Sequence, residues 1–468
     1  MSIIAAYAVP HPPLIIPEVG QGRQDGIQAT VDAYGEVGRR IAGLAPETIV
    51  VSTPHSVMYY DYLHISPGPG AQGSFSQFGA GSARYSASYD EEFVRALCDA
   101  AEAAGIPAGT DGERDPSLDH ATMVPLHFVQ KVAGYAGFRL VRIGLSDLSP
   151  LVHYRLGKLV AEVSEGLGRR AVYVASGDLS HRCRPDGPYG YAPEGPEFDA
   201  LVCEAFRSGD FARLLELDPA LCERAAECGL RSFQMMAGAL DRTPVRPELL
   251  SHEDTFGVGY GVACFTPEGP RGSAPERDFG DQYERWHERR MAGALASEDA
   301  YVSLARQSLE TYVLEGRRIE PPAGLPPELS GRRAGAFVSL KVAGELRGCI
   351  GTILPVRPTL AAEICANAIS AGTADPRFPR VRAEELPELA YDVDVLTEPE
   401  PVGTTTELDP RRYGVIVSTD DGRRGLLLPD LDGVDSVVDQ VRIAARKGGI
   451  DLASDDIRLE RFEVARHA

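Results

Sequence analysis

The sequence predicts two folded regions of different class. Residues 1–265 read as an α/β domain, a mixed sheet with helices on its faces, and residues 295–468 as an α+β domain, with a linker at 266–294 between them. Three observations predict this. Short apolar runs alternate with helix-length amphipathic segments as far as about residue 265, which is the pattern of a helix-covered sheet. The run TPEGPRGSAPERDFGDQ then crowds proline, glycine and charge together. Beyond it, strand-like runs outnumber helical ones.

The elements follow in order. Ile3–Val9, Thr48–Ser52, Phe138–Gly144 and Ala171–Ser176 are short, apolar or β-branched runs bounded by turn residues, and are predicted strands. Asp25–Leu44, Asp90–Ala104, Leu151–Leu167 and Glu197–Ser208 are predicted helices. After the linker, Glu298–Leu314 carries Tyr301, Leu304, Ala305, Leu309, Tyr312 and Val313 on one stripe. AFVSLKV reads as a strand, VAGEL as a hairpin turn into LRGCIG, and TLAAEICANAIS as a helix. In YDVDVLT the alternation places Tyr391, Val393 and Val395 inward and Asp392 and Asp394 outward. YGVIVST and GLLLP add two further strands.

Composition narrows the function. The 468 residues are 43% hydrophobic and 25% charged, values of an ordinary globular chain. A net charge of −21 repels a phosphate backbone, so nucleic acid is excluded as a partner. No stretch approaches the roughly 18 apolar residues of a membrane helix, and no basic segment opens a signal peptide. A cytoplasmic location is expected. The eight cysteines form no CxxC pair, and those at 98, 203, 222 and 228 read as small buried hydrophobes.

Histidines carry the functional reading. IIAAYAVP runs into His11, ETIVVSTP into His55 and AVYVASGDLS into His181. Strands that end in such residues gather them at one edge of an open sheet, where α/β sites form. Two imidazoles and a carboxylate with open positions suit non-haem ferrous iron. Glu253, in SHEDTFGVGYG, is the carboxylate chosen; its neighbour His252 points the other way in an extended chain. His181 is then free to move protons near pH 7, and His120, in LDHATMVPLHF, to meet a substrate oxygen. His64, His127 and His153 read as structural. Gly68, Gly70 and Gly73 satisfy G-x-G-x-x-G, but the motif holds a proline and opens no helix, so it is a flexible loop rather than a dinucleotide site.

The segments VPHPPLI, STPHS, LDHATMVPL, SGDLSHR and HEDTFGVGYG resemble the LigB-type class III extradiol dioxygenases and their Memo relatives. The resemblance implies Fe(II) on His11, His55 and Glu253, His181 as catalytic acid/base, His120 beside the substrate, and a catechol-like aromatic substrate with O2. Memo-like members carry a cysteine at the third metal position, so a metal-binding site without oxygenase chemistry stays open. A zinc hydrolase using the same donors is a third reading.

In the second region, LRGCIG sets Cys349 between glycines and just after Arg347, where a guanidinium would favour thiolate. Pro376 and Pro379 stiffen the DPRFP turn that would present Arg377. ELRGCIGTI, SAGTADPRFPRV, EELPEL, YDVDVLTEPEPV, YGVIV and LLLPDL resemble the AMMECR family in order. Arg347, Cys349, Asp375 and Arg377 are the residues expected to line its surface. Together the two modules resemble the AmmeMemoRadiSam system, which implies a radical SAM protein and a Memo-like protein as partners. Association with a second copy of the chain is compatible with this reading.

Overall fold

The computed structural model describes residues 3–342, 345–431 and 433–468. The chain divides into two compact units, Met1–His287 and Glu288–Ala468.

The first unit is built on six strands: β1 (Ile3–Val9), β2 (Thr48–Thr53), β3 (Arg139–Gly144), β4 (Ala171–Ser176), β5 (Val245–Glu253) and β6 (Tyr260–Pro267). Their order is β3-β2-β4-β1-β6-β5. The first four run parallel, while β6 is antiparallel to β1 and β5 antiparallel to β6. Both faces are covered, which is why the parallel strands read as unbroken apolar runs. Alternate residues divide between two cores: Ala6, Ala8, Tyr173 and Ala175 on one face, and Tyr7, Val9, Val172 and Val174 on the other. Helices Pro150–Gly166 and Leu230–Ala239 pack together over the first face. Helix Gln28–Leu44 covers the second.

Two expectations are corrected here. The segment expected to be a linker at 266–294 is folded. β6 runs on to Pro267, and helix Phe279–Ser297 begins with Phe279 buried in the first core. Arg242 reaches Asp278 at 2.8 Å, and the Phe279 N–H donates to the Tyr154 hydroxyl at 3.2 Å. The loop expected around Gly68–Gly73 is in large part a hairpin, Gly70–Phe75 paired with Ala80–Ser88. Its Gly73 lies so close to Leu118 and Met123 that a Cβ would collide with both.

In the second unit a four-stranded sheet orders Glu345–Thr352, Ala336–Val342, Leu389–Leu396 and Val464–His467 side by side, with helices Ala300–Glu315 and Leu360–Thr373 contributing to one core with it. The expected hairpin turn falls on Ala343 and Gly344, outside the described residues. A second four-stranded sheet (Glu400–Val402, Ile457–Phe462, Gly414–Thr419, Arg424–Leu427) shares a core with helix Val437–Lys447. Asp394, expected to face solvent, is buried because Arg466 of the neighbouring strand donates to it at 2.9 Å. No helix among the described residues is long and apolar enough to cross a membrane.

Candidate metal centre and the cysteine surface

The carboxyl ends of β1, β2 and β4 deliver their residues to one edge of the sheet. His11 follows β1 by two residues and His55 follows β2 by two. Their Nε2 atoms approach to 3.1 Å, the separation of adjacent ligands on one ion when each bond is about 2.1 Å. His120, the first residue of helix His120–Leu126, brings its ring 4.2 Å from that of His55. Ligand atoms of His11, His55 and His120 all lie within 4.8 Å of one another.

The hydrogen bonds fix how His11 presents itself. The Ser176 hydroxyl donates its one proton to the Ala121 carbonyl at 2.7 Å, so toward His11 Nδ1, 3.2 Å away, it can only accept. Nδ1 therefore carries the proton, and the lone pair of Nε2 faces the cluster. Burial pushes the pKa of His11 well below its ordinary value, and the neighbouring histidines His55, His120 and His181 push the same way. His55 is lowered by burial. Burial, reinforced by His55, takes His120 and His181 to about 4. At pH 7 all four are neutral, as ligands and bases must be.

A second donor group meets at the same imidazole. His11, Asp178 and Cys228 also place ligand atoms within 4.8 Å of one another, with Cys228 Sγ 3.6 Å from His11 Nε2. Asp178, just beyond β4, accepts the His11 backbone N–H at 2.7 Å. Burial raises Asp178 to about 7 and pushes the Cys228 thiol well above its usual range. A carboxyl and a thiol kept protonated beside neutral imidazoles are groups that a divalent cation would ionise and satisfy. The donor set fits a metal.

Cys228 owes its place to backbone contact. The loop after β4 meets the start of helix Leu230–Ala239 at Gly177 and Gly229, whose α-carbons leave no room for a Cβ at Gly177. Sequence reading missed Cys228 and Asp178. The signal for the first was the cysteine followed by glycine at a helix start; for the second, the acid inside SGDLSH.

Glu253 is not brought to the cluster. β5 is separated from β1 by β6, so two strand spacings, roughly 10 Å, lie between them. The Glu253 carboxylate accepts instead from the Thr30 N–H at 2.7 Å and the Thr30 hydroxyl at 2.6 Å. Helix Gln28–Leu44 has Ile27 at its N-cap, with no side-chain acceptor, and Glu253 supplies one from across the chain. His252 points elsewhere and lies 2.7 Å from Asp199, which also accepts the Ser180 N–H. His181, one residue on, stacks on Tyr189 at 5.1 Å.

Asp119 ties the other side together. It accepts from Thr53 at 2.8 Å and from the Thr122 N–H at 2.9 Å, and Thr53 in turn accepts the His55 N–H. The end of β2 and the start of the His120 helix are thus held by one carboxylate. Beside His55 and His120 opens a cavity of about 870 Å³, walled by the hairpin and by residues 114–119.

In the second unit, Cys349 lies on the edge strand Glu345–Thr352. Its N–H donates to Asp375 at 2.9 Å, and Ser339 donates to its sulfur at 3.2 Å. Arg377 pairs with Asp375 at 2.7 Å and reaches the Cys349 carbonyl. That pairing, with the backbone donors, holds Asp375 far below the carboxylate range. Arg347 does not serve the sulfur. A bulge leaves it unpaired between Leu346 and Gly348, and its guanidinium goes to Glu385 at 2.7 Å and to the Pro379 carbonyl at 2.9 Å. Burial raises the Cys349 thiol, so the resting group is a thiol and not the thiolate expected.

Comparison with known proteins follows this division. Residues 5–263 match the family of the catalytic LigB subunit of aromatic ring-opening dioxygenase, and residues 302–467 match AMMECR1. A protein of Clostridium acetobutylicum is 40% identical over 478 aligned positions, covering 100% of this chain and 99% of its own. A Thermotoga maritima protein is 53% identical over 174 positions, 37% of this chain and 99% of its own. Among solved structures, an uncharacterized protein of Pyrococcus horikoshii (32% identity, TM-score 0.33) covers 36% of this chain and 88% of its own.

Proposed function

The chain belongs to the family of the catalytic LigB subunit of aromatic ring-opening dioxygenases, with an AMMECR1 domain behind it, and from that premise we propose that its first unit opens a catechol-like ring with O2 at Fe(II). The observation that carries the proposal is the cavity of about 870 Å³ beside the histidine cluster, with the neutral His181 close enough to that cluster to lower the pKa of His11. A site that only stores metal needs neither substrate room nor a spare base.

His11 and His55 would hold the iron, with His120 or Cys228 as the third protein donor. Bound there, iron supplies Lewis acidity toward the diol and a redox route to O2. The residues do the rest. His181, neutral at pH 7, accepts a phenolic proton and returns it to the product side. His120 meets a substrate oxygen when Cys228 takes the third position. Asp119 keeps the His55 and His120 segments in register. Anaerobic loading with Fe(II), followed by oxygen uptake over a panel of catechols, tests the proposal: uptake abolished by His181→Ala supports it, and bound iron with no uptake sinks it.

Cys228 favours a second reading. A thiol 3.6 Å from His11 Nε2 is the cysteine that Memo-like proteins place at the third metal position. In that reading the unit binds metal without oxygenating, and the AMMECR1 domain offers Cys349 to a radical SAM partner. Tight metal, no oxygen uptake and partner association are its expected signature.

A further inference from the structure

The cavity beside His55 and His120 carries a charge pattern that neither reading requires. Arg84, on strand Ala80–Ser88, and Arg114, on the segment leading to the His120 helix, both line it. Neither has an acidic partner among the described residues. The Arg114 guanidinium rests 5.4 Å from the centre of the Tyr59 ring, a cation–π contact that holds it in place without neutralising it. The neighbouring acids are engaged. Glu113 turns inward, 3.9 Å from both Arg142 and His64, and Asp119 is held by Thr53, Thr122 and Arg142. Asp115 also lines the cavity and accepts the Ser117 N–H at 2.9 Å.

The setting makes the pair informative. The chain carries a net charge of −21, and arginines elsewhere in this unit, such as Arg40, Arg169 and Arg184, sit on carboxylates. Two guanidinium groups without such partners, on the wall of one cavity, face a ligand rather than the fold. At about 870 Å³ the cavity lies toward the top of the range of about 300–1,000 Å³ typical of ligand sites, well beyond the needs of a single ring. Gln72 and Gln77, from the hairpin region, add neutral hydrogen-bonding groups to the same wall.

We propose that Arg84 and Arg114 determine specificity, receiving an oxyanion at the far end of the ligand whose other end faces His55 and His120. The ligand is then an aromatic diol bearing an anionic side chain. The diol half of this statement rests on the proposed function; the anionic half rests on the two arginines. A planar guanidinium fork matches carboxylate and phosphate alike, so the shared chemistry is the oxyanion.

The test uses three diols of similar size and different charge: hydrocaffeate (anionic), hydroxytyrosol (neutral) and dopamine (cationic). Dissociation constants are measured anaerobically by calorimetry on the metal-loaded full-length protein and on the Arg84→Gln/Arg114→Gln variant. Both arginines are exposed and make no ion pair, so the variant should fold; its metal content and circular dichroism check this. Hydrocaffeate should bind about tenfold more tightly than hydroxytyrosol, with dopamine weakest, and the three should converge in the variant. Displacement by inorganic phosphate or by acetate then tells which oxyanion is preferred. Equal affinity for hydrocaffeate and hydroxytyrosol, or an advantage that survives both substitutions, overturns the proposal. Oxygen uptake is followed separately. Charge preference without uptake refutes the oxygenase reading and leaves the anion site standing, whereas uptake without charge preference does the reverse.

Discussion

The two units each gather reactive side chains, and they do so in opposite ways. In the first, His11, His55, His120 and Cys228 point lone pairs or a thiol at one another, and a cavity opens beside them. In the second, the polar groups around Cys349 use one another up. Asp375 is held by Arg377 and by the Cys349 N–H, and Arg347 is held by Glu385. An edge strand must satisfy its outward N–H groups, and Asp375 does this for Cys349. Convergent groups left incomplete mark a site; convergent groups that complete each other mark a scaffold. By that measure the first unit holds a reaction centre, and the AMMECR1 unit a braced edge with a half-buried thiol.

The sharpest way to break this contrast is to remove a shared donor. His11 stands in both donor groups, so His11→Ala should weaken metal binding by more than about 100-fold, read by equilibrium dialysis with Fe(II) or Co(II). Retained metal would show that the cluster is not the centre. His181→Ala should keep the metal and cost about 10²–10⁴ in turnover, read as oxygen uptake per bound iron; a variant that lost its metal would move His181 among the ligands.

In the second unit, Asp375→Asn should destabilise by about 1–3 kcal/mol, seen in thermal unfolding, while metal content stays at the wild-type value. A smaller effect is expected from Glu253→Gln. It should lower stability by about 1 kcal/mol through the lost helix cap and leave metal affinity unchanged. A large loss of metal there would restore Glu253 as a ligand.

The metal-free protein should also respond to acid. Unfolded histidine takes up a proton near 6.5, whereas folded His120 and His181 resist to about 4. The unfolded chain therefore binds more protons throughout that window, and stability should be level above about pH 6.5 and fall as the pH drops toward 4. Denaturation followed at several pH values checks it; a flat profile would place these rings in water.

What the sequence makes legible is set by locality. β1 and β2 announce their histidines because an apolar run and the residue two beyond its end are adjacent in the chain. The sheet was readable for the same reason. Glu253 misled because the strand that lies between it and the site, β6, follows it in sequence, and no pattern states the order of strands. Cys228 was passed over because a helix start, not a strand end, delivers it. Arg347 stood next to Cys349 in the chain but a bulge turned it toward Glu385. In each miss, what decided the outcome was a neighbour remote in sequence.

The meeting of Gly177 and Gly229 carries a last consequence. Two residues without side chains set how near the Asp178 loop and the Cys228 loop can come. The reach of the metal centre is therefore governed partly by residues that carry no reactive group. A methyl added at Gly177 would act as a spacer, prising the thiol from the imidazole while every donor stayed in the chain. Descendants of this sequence could lose or retune their metal through such silent spacers, and an inventory of ligands alone would not reveal it.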